Sequence, residues 1–106
     1  MTQSPSRLDQ LEKMLKQDPH DAFIQYAVAM EYARLGQSAQ AVERFKQLIH
    51  EHPDYAAAYF MCGRTLEQMD QRAGAADMYR SGIAAARRAG DDHAAGEMLA
   101  ALEAIA

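Results

Sequence analysis

Four histidines and a single cysteine are the first side chains to weigh for chemistry in this 106-residue sequence. His50 and His52 flank Glu51 just ahead of Pro53. A helical zinc pair needs residues four apart, because i and i+4 share one face. A spacing of two puts the rings on different sides, so the pair reads as a solvated helix end. His20 follows Pro19 in a turn and His93 opens the last helix, both positions for solvated rings. Cys62 sits in the apolar segment YFMCG. A thiol there behaves as a small buried hydrophobe, with nothing beside it to lower its pKa. One cysteine makes neither an intrachain disulfide nor a cysteine-based zinc site, and it implies no oxidising compartment. HExxH, GxSxG, a glycine-rich phosphate loop and a carboxylate dyad are all missing from the sequence. The residues support no enzyme, no metal and no cofactor.

The scaffold that carries these side chains is legible from composition. The chain holds 22 alanines, only 3 prolines and 6 glycines, and no tryptophan. Alanine is the strongest helix former and a poor strand filler, so a single all-α domain with closely packed helices follows. The net charge of −4 argues against a nucleic-acid or anionic-membrane binder, which needs a basic face. The first residues, MTQSPSRLDQLEKMLKQDP, lack the apolar core of a signal peptide. No apolar run approaches the ~20 residues of a membrane span. A soluble cytoplasmic protein is the expectation.

Breakers divide the chain regularly. Pro19 and Pro53 lie 34 residues apart, and Gly36 punctuates the stretch between them. The periodicity predicts helices over 6–17, 21–35, 38–52, 56–69 and 73–89, then a last one capped by Asp91 or Asp92. Ser4 or Ser6 serves as the first N-cap with Pro5 near the first turn, and Ser38 serves as the cap of the third helix. Glu12–Lys16, Glu43–Lys46 and Asp77–Arg80 are at ion-pair spacing on solvated faces. Sliding 22–55 onto 56–89 gives 5 identities in 34, with better-placed near matches. Tyr26 meets Phe60, Val28 meets Cys62, Ala29 meets Gly63, and Phe45 meets Tyr79. Small falls opposite small and bulky opposite bulky, the mark of a repeat architecture.

On these residues the chain resembles the tetratricopeptide repeat family, over roughly residues 6–90. One unit carries the pattern as Tyr59, Cys62-Gly63, Leu66, Ala75 and Tyr79; the other carries Val28-Ala29, Tyr32, Ala41, Phe45 and Pro53. Three positions depart from it. Arg87 stands in place of a proline, so that helix runs on through Arg88 to a stop at Gly90. Asp70 replaces the inter-helix glycine, and Gly82 falls at an alanine-like position. The resemblance implies a right-handed superhelix of antiparallel helix hairpins, an α-solenoid. Its parts are a half-repeat helix in 6–21, repeats at 22–55 and 56–89, and a capping helix in 91–106.

The resemblance also implies a function and a site. The first helix of each hairpin lines a concave groove, here built by Phe23, Tyr26, Met30 and Arg34, then Phe60, Met61, Arg64 and Gln68. Packed helices do not bury both the seam and the inner face, so bulky residues left there suit partner binding. The positions of the family's chaperone-tail clamp hold Tyr26, Met30 and Met61, which are neither basic nor amide. An apolar or amphipathic segment of a protein partner fits better, making the chain a non-catalytic adaptor or co-chaperone. Self-assembly through the half-repeat helix and the apolar face of the last helix is the alternative.

Overall fold

The computed structural model of the chain describes residues 6–106. It is all-helical: α1 (Arg7–Gln17), α2 (Ala22–Arg34), α3 (Ser38–Glu51), α4 (Ala56–Gln68), α5 (Arg72–Arg88) and α6 (Asp92–Ile105). Ser4 and Pro5 lie outside the described residues. Three helices begin on the side-chain caps that the sequence offers. Ser6 accepts from the Asp9 amide, Asp21 from the Ile24 amide and Asp91 from the Ala94 amide, each at 2.9–3.0 Å. Ser38 is not a cap but the first helical residue of α3. The cap position falls on Gln37, whose side chain makes no capping bond.

Three of the turns close in the same way on backbone bonds. The amides of Gln37, Gln71 and Asp91 bond back to the carbonyls of Tyr32, Leu66 and Ala86, at 2.8–2.9 Å. This reversal satisfies the last carbonyls of the preceding helix and requires a left-handed residue one position earlier. Those residues are Gly36, Asp70 and Gly90, with φ of 76°, 59° and 71°. Asp70 is the one of the three that carries a side chain, which a left-handed backbone disfavours. With arginine at 87, α5 runs to Arg88 and reaches 17 residues against 14 for α3.

Consecutive helices pack as antiparallel neighbours into an elongated array of 51 × 28 × 19 Å. Among the described residues α2 approaches α4 and α4 approaches α6, while no such approach joins α1 to α3 or α3 to α5. The layer of α2, α4 and α6 therefore converges and is the inner, concave one. The fully buried side chains include Val28, Phe45, Leu48, Cys62, Tyr79 and Met98. Alanines such as Ala41, Ala58, Ala75 and Ala86 fill the seams between them, where a larger side chain would hold the helices apart.

Two glycines set the closest approaches. A Cβ on Gly63 would stand 2.7 Å from Cδ1 of Tyr79, and one on Gly82 would stand 2.6 Å from Cβ of Tyr59. Both rings are also tethered by their hydroxyls. Tyr59 donates to the Pro53 carbonyl at 2.6 Å, and Tyr79 donates to Glu67. On the surface, Asp77–Arg80 forms at 3.1 Å. Glu12 pairs across the layer with Arg44 of α3 at 2.9 Å rather than along its own helix with Lys16. No ion pair joins Glu43 to Lys46 among the described residues.

These positions give opposite expectations in urea denaturation. Gly63→Ala and Gly82→Ala overpack the seams and each lower stability by roughly 1–3 kcal/mol. Asp70→Gly relieves the left-handed turn and raises it by roughly 0.5–1 kcal/mol.

Candidate interaction surface

The stripe that α2 presents, Phe23, Tyr26, Met30 and Arg34, advances by three or four residues and so stays on one face. It lines a cleft of about 610 Å³ together with Arg7 of α1, Ala27 and Glu31. Phe23 is 73% exposed, a large ring with little protein against it. A second cleft of about 300 Å³ crosses the inner layer, with Tyr26, Ala57, Phe60 and Met61 on one side. Asp91, His93, Ala94 and Glu97, at the start of α6, form the other. Six of the eight residues singled out in the sequence thus fall into two clefts that share Tyr26. Arg64 and Gln68 are exposed on α4 and line neither cleft.

Packing limits what each ring can offer a ligand. Tyr26 stacks at a tilt on Phe45 and on Tyr55, with centroids 6.1 and 5.5 Å away. Phe60 meets Tyr79 at 6.1 Å, and the Arg64 guanidinium lies over the Phe60 ring at 5.8 Å. Both rings are half-buried and belong to the wall as much as to the opening. Burial, and then the neighbouring Tyr55, push the Tyr26 hydroxyl above its ordinary range. It therefore stays a neutral donor at physiological pH.

Glu31 is the functional-looking residue that the helical stripe conceals. It is 4% exposed, yet it carries a carboxylate on the floor of the first cleft. Arg34 reaches it through Nε at 2.9 Å, and Arg7 of α1 reaches its other oxygen at 3.3 Å. The hydrogen bond from Arg34 does most to hold the carboxyl below its usual range. The charges of Arg34 and Arg7 add to it, against the opposing effect of burial. The i, i+3 spacing of Glu31 and Arg34 was the available signal; Arg7 was invisible without the fold. On α6, Asp91, His93 and Glu97 had no signal at all as groove residues. His93 and Glu97 pair along the helix at 2.6 Å.

The remaining chemistry-bearing side chains are structural. His20 is solvated as its place in the sequence implies, 81% exposed, whereas His52 is half-buried. His52 Nε2 donates to the His20 carbonyl at 2.9 Å, and His20 Nδ1 faces Glu51 at 3.4 Å. Gln25 donates to Glu51 and to the Pro19 carbonyl, so this cluster ties the α1–α2 turn to the end of α3. The Gln25 bond, then His20, holds the Glu51 carboxyl below its usual range. Beside the cluster an outer-layer notch of about 690 Å³ opens between α1 and α3, over Leu15, Val42 and Leu48. Cys62 is fully buried, and burial pushes its thiol up to about 11. Among the described residues no three His, Cys, Asp or Glu side chains gather as a metal site. Among the same residues no helix is long and apolar enough to cross a membrane.

No family model matches the chain. Over 91 residues it is 28% identical to a TPR repeat-containing protein of Pseudomonas aeruginosa, covering 86% of this chain and 87% of that one. A tetratricopeptide repeat domain protein from Salinibacter ruber, solved in solution, is 32% identical with a TM-score of 0.78, over 83% of this chain and 89% of that one. PcrH, solved in complex with the chaperone binding region of PopD, superposes with a TM-score of 0.85 at 19% identity, over 92% of this chain and 74% of that one. That last likeness concerns the fold alone.

The acid limb of stability follows from Glu31 and Glu51. A carboxyl whose folded pKa lies below its unfolded value stabilises the fold above the ordinary glutamate value of 4.5. That contribution is lost as pH falls through the lower folded value. The expected thermal midpoint is flat above pH 5 and drops steadily on acidification below about 4.5. Glu31→Gln lowers the midpoint at neutral pH and makes the acid limb shallower, as read by circular dichroism melts at a series of pH values.

Proposed function

The chain belongs to the tetratricopeptide repeat family, and from that premise we propose that its inner face holds a segment of a protein partner. It is a non-enzymatic scaffold, and a general protein-interaction role follows from its family. The finer reading is that the second cleft takes one or two apolar side chains of an extended or helical segment. The observation that carries it is the cleft's make-up. Phe60 and Met61 of α4 and the ring of Tyr26 form an apolar wall, and His93 and Glu97 of α6 form a polar one. An apolar pocket with a polar rim suits an amphipathic segment, whose buried anchors supply affinity and whose polar side sets orientation. PcrH, with the same fold, is found in complex with the chaperone binding region of PopD, which supports a peptide-holding role for such a scaffold.

Specificity in this reading comes from the walls. Tyr26 and Phe60 are braced by Phe45, Tyr55 and Tyr79, so the cleft is largely preformed and little ordering accompanies binding. Arg64, above Phe60 at the edge, would meet an acidic group flanking the anchor.

Selection from a random peptide library displayed on phage tests the proposal. Ala57 is exposed and Met61 half-buried, so Ala57→Glu with Met61→Glu puts two charges in the cleft while leaving the braced rings intact. Peptides selected on the natural sequence are expected to carry apolar anchors and to bind the folded double variant at least about tenfold more weakly, the loss of one buried anchor. Equal binding to both would place the binding surface elsewhere.

A further inference from the structure

The two ends of the array present complementary faces among the described residues. Among the described residues α1 is an outer-layer helix with no inner-layer helix before it, and α6 is an inner-layer helix with no outer-layer helix after it. The first cleft, between α1 and α2, lies where an inner helix preceding α1 would pack. We propose that α6 of a second copy fills this place, so that chains join head to tail and each junction completes a hairpin.

The helix caps fix the register of such a junction. Caps Tyr55 and Asp91 place α6 36 residues after α4. Caps Gln37 and Gln71 place α5 34 residues after α3, and C-caps Asp18 and His52 place α3 34 after α1. Contacts of the α4–α5 hairpin can therefore be carried over residue by residue. Gly63 against Tyr79 becomes Leu99 against Leu11, and Tyr59 against Gly82 becomes Ala95 against Met14. The cleft pair Tyr26 with Ala57 becomes Gly96 with Phe23.

In each pair one side chain grows where the other shrinks. Glycine against tyrosine turns into leucine against leucine, tyrosine against glycine into alanine against methionine, and tyrosine against alanine into glycine against phenylalanine. The space filled across each seam is roughly conserved, which is the kind of change that packed cores tolerate best. The same residues are otherwise hard to account for. Phe23, Met14 and Leu99 are large apolar side chains exposed by 73%, 48% and 41%, and nothing lies within 4 Å of where a Cβ on Gly96 would stand.

Charge agrees with this pairing. α6 carries Asp92, Glu97 and Glu103 and no lysine or arginine, whereas α1 carries Arg7, Lys13 and Lys16 against Asp9 and Glu12. Glu103 occupies the position that in α4 belongs to Glu67, the acceptor for Tyr79. At the junction it faces the edge of α1 that begins at Arg7. Opposite signs across a contact steer encounter and disfavour the like-signed α6–α6 pairing. A contact between two different surfaces leaves one of each free, so the assembly grows beyond two chains, as a ring where its rotation closes and as an open filament where it does not. The second cleft stays open in this arrangement, so the inference stands apart from peptide binding.

Sedimentation equilibrium of the 106-residue chain decides it, run from about 10 μM to about 1 mM, where small interfaces associate. Met14→Glu damages the receiving face and Leu99→Glu the docking face; both positions are exposed, and helical content is checked by circular dichroism. The natural sequence is expected to gain mass with concentration beyond two chains. Each variant alone is expected to stay monomeric. An equimolar mixture of the two retains one good face of each kind and is expected to give pairs and nothing larger. A natural sequence that is monomeric throughout would overturn the proposal. So would assembly surviving in either variant, or a mixture that stays monomeric.

Discussion

A large ring lying against the space left by an absent side chain sets the spacing of this protein. Tyr79 packs where a Cβ on Gly63 would stand, and Gly82 clears the same kind of room for Tyr59 and Met98. The corresponding places in the preceding hairpin hold Phe45 and Ala29, both fully buried. With the seam fixed at this distance, the hydroxyls of Tyr59 and Tyr79 reach the Pro53 carbonyl and Glu67. Ring packing, hydrogen bonding and the pitch of the next helix are then one arrangement, not separate choices. The inner layer converges because its partners in the seams are small, and the clefts are what remains where convergence stops.

The proposed interaction surface inherits its rigidity from that seam. Tyr26 and Phe60 line openings with one edge and brace Phe45, Tyr55 and Tyr79 with the other. In the proposed function a partner would therefore meet a shaped wall and not a set of mobile side chains. Glu31 contributes in a different way. Its buried carboxylate clamps Arg34 on one side and Arg7 on the other, so α1 is held to α2 by charge as well as by Leu11.

The helices, their repeat and the turns were legible in the sequence because each depends on local spacing. Pro19, Pro53, Gly36 and Gly90 act on their own neighbours, and Ala41, Phe45, Ala75 and Tyr79 recur at a fixed interval. Ser38 misleads because only Gln37 separates the left-handed Gly36 from α3, so the serine falls inside the first turn of the helix and not ahead of it. The site was only half legible. The stripe on α2 follows from helical geometry, but the division into two clefts depends on α6 folding back beside α4. No spacing rule links Met61 to His93. The same reason hides the Glu12–Arg44 pair and the knot of His20, Gln25, Glu51 and His52, whose members are brought together only by stacking.

The absence of close backbone approach between α1 and α3, or between α3 and α5, has a consequence for how the array comes apart. Each outer helix is held chiefly by the helices on either side of it in the chain, so stability behaves as a line of nearest-neighbour couplings. A line of this kind frays. Among the described residues α1 and α6 each have a neighbour on one flank only and unzip first, while α3, α4 and α5 have neighbours on both flanks and open last. Amide protons in the middle of the array are thus the slowest to exchange with solvent, and those of the two end helices the fastest.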